Sequence, residues 1–256
     1  MAKLTVESFV DLINEDLLWR KKEISDLLFL HNNENSLLIL KAAILLMYSH
    51  WEGYVKNISK QYIILISDLN LELNKLGFNF EAIDIKGDIR ECFKSSDSLN
   101  LINEINFLKK IYDNNRKIFK ISSQFKNEKD KSIINTKDNL NIQVFQSFLK
   151  IIGLYEFEPL KTRIAYIDEK LLNNRNIISH GSKIHPSSNN FLIDILEIKK
   201  LRDFIILIME YLRDELIYFS EEKLFLHSNS NKIISRSNDI NLKLEKAIKE
   251  IYPHSV

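Results

Sequence analysis

Glycine and proline are scarce in this chain, with only 5 and 3 among 256 residues. Obligatory turns are therefore few, and long helices fit that scarcity better than many short strands. A single cysteine, Cys92, excludes an internal disulfide framework and a cysteine-based zinc site. The formal net charge is only +1, so any contact with nucleic acid must come from a local patch rather than from overall charge. The longest apolar runs, Ala42–Met47 and Phe204–Met209, fall far short of the ~20 residues that cross a bilayer, and no membrane association is expected. The opening stretch MAKLTVESFVDLINEDL lacks a basic region followed by an apolar core, so no signal peptide is read and a cytoplasmic protein is the expectation. Glycine-rich phosphate-binding motifs are missing too. His50, His185, His227 and His254 show no metal-ligand spacing with acidic or cysteine partners, so neither a metal nor a cofactor is expected.

What is present is helical periodicity. Phe9, Leu12, Ile13, Leu17, Ile24, Leu27 and Leu28 predict a helix over about 6–30, which the polar run Asn32–Asn35 breaks. A second helix is predicted from Ser36 toward Asp68, roughly 50 Å long, with a bend at Gly53. Residues 70–136 are less regular and read as a partly helical insertion. A third helix over about 138–152 carries Leu140, Val144, Phe145, Phe148, Leu149 and Ile152 on one side, and Gly153 stops it. A fourth runs from about 160 to 180 between Pro159 and Gly181, and a fifth over about 194–219 follows the loop His185–Asn190. The pattern predicts an all-α fold, an antiparallel helical bundle over 1–222 with the insertion at about 70–136. A tail over 223–256 carries a short amphipathic helix, Asp239–Tyr252.

The segment Leu171–Gly181 is the one that suggests chemistry. With Ile164, Ile167, Leu171 and Ile178 as the buried stripe, Asn176 and His180 point almost opposite it at roughly 100° per residue. Four residues apart, they share a face, and Arg175 flanks them. A cation is favoured in the last turn of a helix, and histidine is the side chain best suited to proton transfer near neutral pH. A solvated helix end with a cation at its dipole has the same spacing. In the second helix Tyr48, Trp51 and Val55 read as core, and His50 lies near it. Glu52, between Trp51 and Gly53, is either a structural partner or a tether that orients Arg175 or His180. Ser179 immediately precedes His180, the wrong arrangement for a Ser-His nucleophile pair.

Arg175-Asn176-Ile177-Ile178-Ser179-His180 resembles the Arg-polar-x3–5-His signature of the HEPN superfamily. Met47-Tyr48-Ser49-His50-Trp51-Glu52-Gly53-Tyr54-Val55-Lys56 is similar to the second helix of its branch with RiboL-PSP-like and MAE-type proteins. That resemblance covers the bundle helices, not 70–136 or the tail beyond about 222. It implies a metal-independent ribonuclease whose site forms where two bundles meet, in a homodimer or a heterodimer with a related bundle. His180 would activate the ribose 2′-hydroxyl or protonate the leaving 5′-oxygen, Arg175 would stabilise charge on the phosphate, Asn176 would orient one of them, and a 2′,3′-cyclic phosphate would result. Arg175 and His180 lie roughly 140° apart on an ideal helix, so two copies grip one phosphate more easily than one does. A role as toxin or defence effector, with an antitoxin or defence partner, follows from the same resemblance. So does an alternative, a non-catalytic interaction module. In some such toxins a tyrosine two residues after the histidine is modified; Ser182 stands there and takes support away from that scheme.

Residues 109–137 hold nine basic side chains against three acidic ones. Lys109, Lys110, Arg116, Lys117 and Lys120 are candidate RNA contacts, with Tyr112, Phe119 and Phe125 available for base stacking. A solvated charged surface is the competing reading.

Overall fold

A computed structural model describes residues 3–32, 36–94, 101–113, 117–127, 129–137, 139–181 and 194–252. Among these residues the regular elements are helical, and extended pairing is limited to isolated antiparallel bridges at Glu72–Ile118 and Leu76–Leu226. Helix α1 (Val6–Phe29) starts at a capping box, in which the Thr5 hydroxyl accepts from the Ser8 N–H and the Ser8 side chain answers at the Thr5 backbone. Its stripe Phe9, Ile13, Leu17, Ile24 and Leu28 is buried. Helix α2 (Ser36–Asp68) is buried along most of its length and forms the axis of the molecule, packed against α1 and α8 (Ile195–Glu221).

Cross-links give the directions. The Leu4 N–H donates to Asp68, the Tyr54 hydroxyl to the Ile13 carbonyl, and Arg20 meets His50, so α1 and α2 run antiparallel. Lys21 pairs with Glu210, while Phe29 and Ile195 line one groove, so α1 and α8 are antiparallel as well. The expected bundle is present, and α2 continues as helix through Gly53.

Three expectations are corrected. Helix α5 (Ile142–Ile151) begins later than its apolar pattern, because the Asn141 side chain caps it by accepting from the Val144 N–H. It stops where Gly153 adopts φ +80°, as Gly153 was expected to make it do. The run predicted as one helix over 160–180 is a 3-10 turn (Glu158–Arg163), a short α6 (Ile164–Ile167), a π-helical segment (Asp168–Asn173) and α7 (Asn174–Ser179). Buried Asn174 holds the wide turn by donating its amide to the carbonyls of Glu169 and Lys170 at 3.1 and 2.9 Å. The extra residue rotates the buried stripe, so Ile167, Leu171 and Leu172 are buried while Ile177 and Ile178 are only partly so. Finally, the C-terminal amphipathic helix is longer than its pattern: α9 spans Ser230–Ile251 and buries Ile240, Leu244 and Ile248.

Residues 70–136 contain α3 (Phe78–Lys94) and α4 (Ile102–Asp113). Phe80, Phe119, Phe125 and Ile134 from this stretch are buried in the common core. Lys60 of α2, itself buried, donates to the carbonyls of Asn127 and Asp130 at 2.8 and 2.9 Å and clamps the loop onto the bundle.

Candidate active site

Helix α7 ends on His180. Its N–H closes the last turn on the Asn176 carbonyl at 3.0 Å, and Gly181 at φ +68° turns the chain away while its N–H bonds the Ile178 carbonyl. The His180 side chain is exposed. Arg175 lies half-buried on the same helix and donates from Nη1 to Asn176 Oδ1 at 2.9 Å. The chain thus presents an exposed imidazole at a helix end, with a guanidinium and an amide tied together one turn earlier.

The Arg175 guanidinium stands 4.4 Å from the centre of the Tyr48 ring, within cation–π range. Tyr48 is 3% exposed. Its oxygen accepts from the Leu140 N–H at 2.9 Å, and its hydroxyl hydrogen-bonds Glu52, one turn along α2. Glu52 also accepts from the Thr136 hydroxyl. Burial pushes the Tyr48 phenol above its usual pKa range, and the Glu52 carboxylate adds to the rise, while the Leu140 N–H and Arg175 oppose it. The phenol therefore stays neutral and can donate.

The run His50-Trp51-Glu52-Gly53 sends successive residues in different directions at ~100° per step. Trp51 enters the core against Phe145. Glu52 faces Tyr48 and Thr136. His50 and Gly53 face α1, where a Cβ at Gly53 would stand 2.9 Å from Arg20 Nη1. Arg20 is bonded to Asp16 at 3.0 Å and to the His50 carbonyl at 3.3 Å, and His50 Nε2 lies 2.8 Å from Glu23. Burial, and next the Arg20 charge, hold the His50 pKa below its ordinary value.

The candidate basic patch is largely engaged within the chain. Lys110 pairs with Asp88, Lys117 with both oxygens of Asp84, and Lys120 donates to the Ser67 carbonyl and to Asn70. Lys109 is exposed, and Arg116 lies outside the described residues. Tyr112 is exposed, but Phe119 and Phe125 are buried and unavailable for stacking: Phe119 packs on Phe80, and Phe125 lies beneath the Lys60 ammonium. Among the described residues no group of three His, Cys, Asp or Glu side chains is arranged to hold a metal ion, and no helix is long and apolar enough to cross a membrane.

Sequence reasoning singled out Arg175, Asn176, His180 and Glu52, and the structure brings Arg175, itself bonded to Asn176, and Glu52 to one ring, that of Tyr48. It missed that ring's role, and it missed Thr136. The available signal was spacing, since Tyr48 stands four residues before Glu52 on one helix face.

An all-helical bundle that closes one helix on Arg-Asn-x3-His is of the HEPN superfamily class. The RiboL-PSP-HEPN family model matches residues 15–218, well over half the chain, and the chain belongs to that family. No curated protein and no solved structure matches it.

Proposed function

We propose that the chain is a metal-independent endoribonuclease that cuts RNA through its own 2′-hydroxyl, acting in the cytoplasm as a toxin or antiviral-defence effector. The observation that carries this reading is the exposed imidazole at the end of α7 beside an anchored guanidinium on the same short helix. Attack needs the 2′-oxygen to lose its proton and bond to phosphorus while the P–O5′ bond breaks and O5′ gains a proton. His180 serves proton transfer. Arg175, held toward one place, stabilises the extra charge on the phosphate oxygens. Asn176 orients Arg175 through its Oδ1. Because the nucleophile is internal to RNA, no metal-activated water is required. His180 takes one end of that proton transfer and solvent water the other, and a second copy of the bundle would bring its own Arg175 to the same phosphate.

The test is cleavage of single-stranded RNA in excess EDTA, with the ends identified. The expected result is 2′,3′-cyclic phosphate ends on RNA and no cutting of DNA, which lacks the 2′-hydroxyl. His180→Ala and Arg175→Ala should each lose about a hundred- to ten-thousand-fold in rate while melting near wild type, since partly exposed side chains shift stability by about 0.5 kcal/mol. RNA bound but not cut by wild type would favour a non-catalytic interaction module. Cutting restored only by magnesium would point to another nuclease class.

A further inference from the structure

We infer that Tyr48 is the positioning residue of this site: its ring, fixed by the Leu140 N–H and by Glu52, sets where the Arg175 guanidinium points. The kinetic consequence rests on the ribonuclease reading; the structural one does not.

A guanidinium on a four-bond stem explores many rotamers, and it acts as a preorganised charge only when neighbours remove that freedom. Contacts with Asn176 and Tyr48 restrict it here. Asn176 Oδ1 takes one N–H in the plane, and the Tyr48 ring covers a face at 4.4 Å. The ring is itself immobilised, because it is buried and its oxygen both accepts from Leu140 and bonds Glu52. Glu52 in turn is held by the hydroxyl of Thr136, which is 1% exposed. The chain of contacts runs Thr136, Glu52, Tyr48, Arg175, from the end of the segment between α4 and α5 to the site.

Glu52 thereby changes role. It bonds the hydroxyls of Thr136 and Tyr48, and it acts through Tyr48 rather than on substrate. Lys137 adopts φ +51°, its N–H bonds Asn135 Oδ1 at 2.8 Å, and the Asn139 N–H bonds the Thr136 carbonyl at 3.1 Å. The Thr136 hydroxyl and the Leu140 N–H thus meet the same side of α2, at Glu52 and at Tyr48.

The test pairs an NMR readout with kinetics. In wild type the Arg175 Nε–Hε signal, assigned by its loss in Arg175→Lys, should be displaced by the ring current and show slow guanidinium rotation. Tyr48→Phe should keep that displacement, and Tyr48→Leu should abolish it. In single-turnover cleavage at saturating RNA, Tyr48→Leu should lose about a hundred-fold through misplacement of the charge. Tyr48→Phe and Glu52→Met should each lose about fivefold, the worth of a hydrogen bond, with KM little changed. Combined, these two should lose less than the product of their separate losses, since both break the bond between Tyr48 and Glu52. If melting shows Tyr48→Leu unfolded, that double variant decides, and additive losses overturn the proposal. An unchanged Arg175 signal or unchanged cutting in folded Tyr48→Leu overturns it as well. If wild type cuts no RNA, the ribonuclease reading fails. The Arg175 signal then decides alone, and an undisplaced, fast-rotating guanidinium overturns the positioning role.

Discussion

A methyl group added at Gly53 would stand 2.9 Å from Arg20 Nη1, so the glycine keeps open the seat in which α1 delivers a buried cation to α2. His50 shares that seat, and its titration gives a signed prediction. Burial and the Arg20 charge depress its folded pKa below 6.5, against the smaller opposing pull of Glu23 and Asp16. Below 6.5 the unfolded chain binds a proton that folded His50 resists, so stability rises with pH there. The contribution is fully present above about 6.5 and is lost progressively as pH falls toward the folded value. Melting temperatures measured from pH 7.5 to 5.5 should therefore fall with acid, and His50→Gln should flatten that slope even if it melts lower throughout. An identical slope in the variant would place the acid sensitivity elsewhere. The residue scale also shows what sequence makes legible. Glu52 stands out because a carboxylate amid apolar neighbours needs a partner. Tyr48 does not, because a buried aromatic at helical spacing looks the same whether or not a guanidinium rests on it.

At the scale of elements, the apolar periodicity of α1, α2 and α8 made them readable nearly to their ends, since long stripes overdetermine a helix. The π-helical segment before α7 was not readable, because it depends on Asn174 reaching back to two carbonyls, and asparagine carries no such mark in sequence. The start of α9 was hidden for a related reason: its first turns bury little, and what anchors them is polar. Glu215 of α8 is 1% exposed and is bonded by Tyr155 and by both Nε and Nη2 of Arg236. The Arg236 guanidinium also rests 3.9 Å from the centre of the Tyr218 ring. Removing that cation leaves a buried carboxylate with the Tyr155 hydroxyl as its remaining support. Arg236→Met should thus cost about 3 kcal/mol despite similar volume. Glu215→Gln combined with Arg236→Met should recover much of the loss, because no unpaired charge is then buried. Urea unfolding of wild type and the two variants checks this; equal losses in the single and the double would show that the ion pair is not what anchors α9.

For the whole molecule, the question is whether one copy can complete the chemistry. Arg175 is turned inward onto Tyr48, whereas His180 is exposed at the helix end, so one copy presents the two groups in different settings. The proposed division puts one phosphate between Arg175 of one copy and His180 of the other, which two-fold symmetry then repeats. Mixing tests it. Arg175→Ala and His180→Ala proteins should each be nearly inactive alone. In an equal mixture that exchanges subunits, about half the dimers carry one of each, and one of the two sites in such a dimer keeps both wild-type groups. Cleavage should therefore return to about a quarter of the wild-type level, at concentrations where sedimentation shows dimers. The double variant Arg175→Ala/His180→Ala, mixed with wild type, serves as the contrast. Each mixed dimer then has one defective group at both of its divided sites, so wild-type protein is titrated down rather than complemented. Failure of the first mixture to recover, with exchange demonstrated, would overturn the divided site, as would a monomer that cuts at full rate.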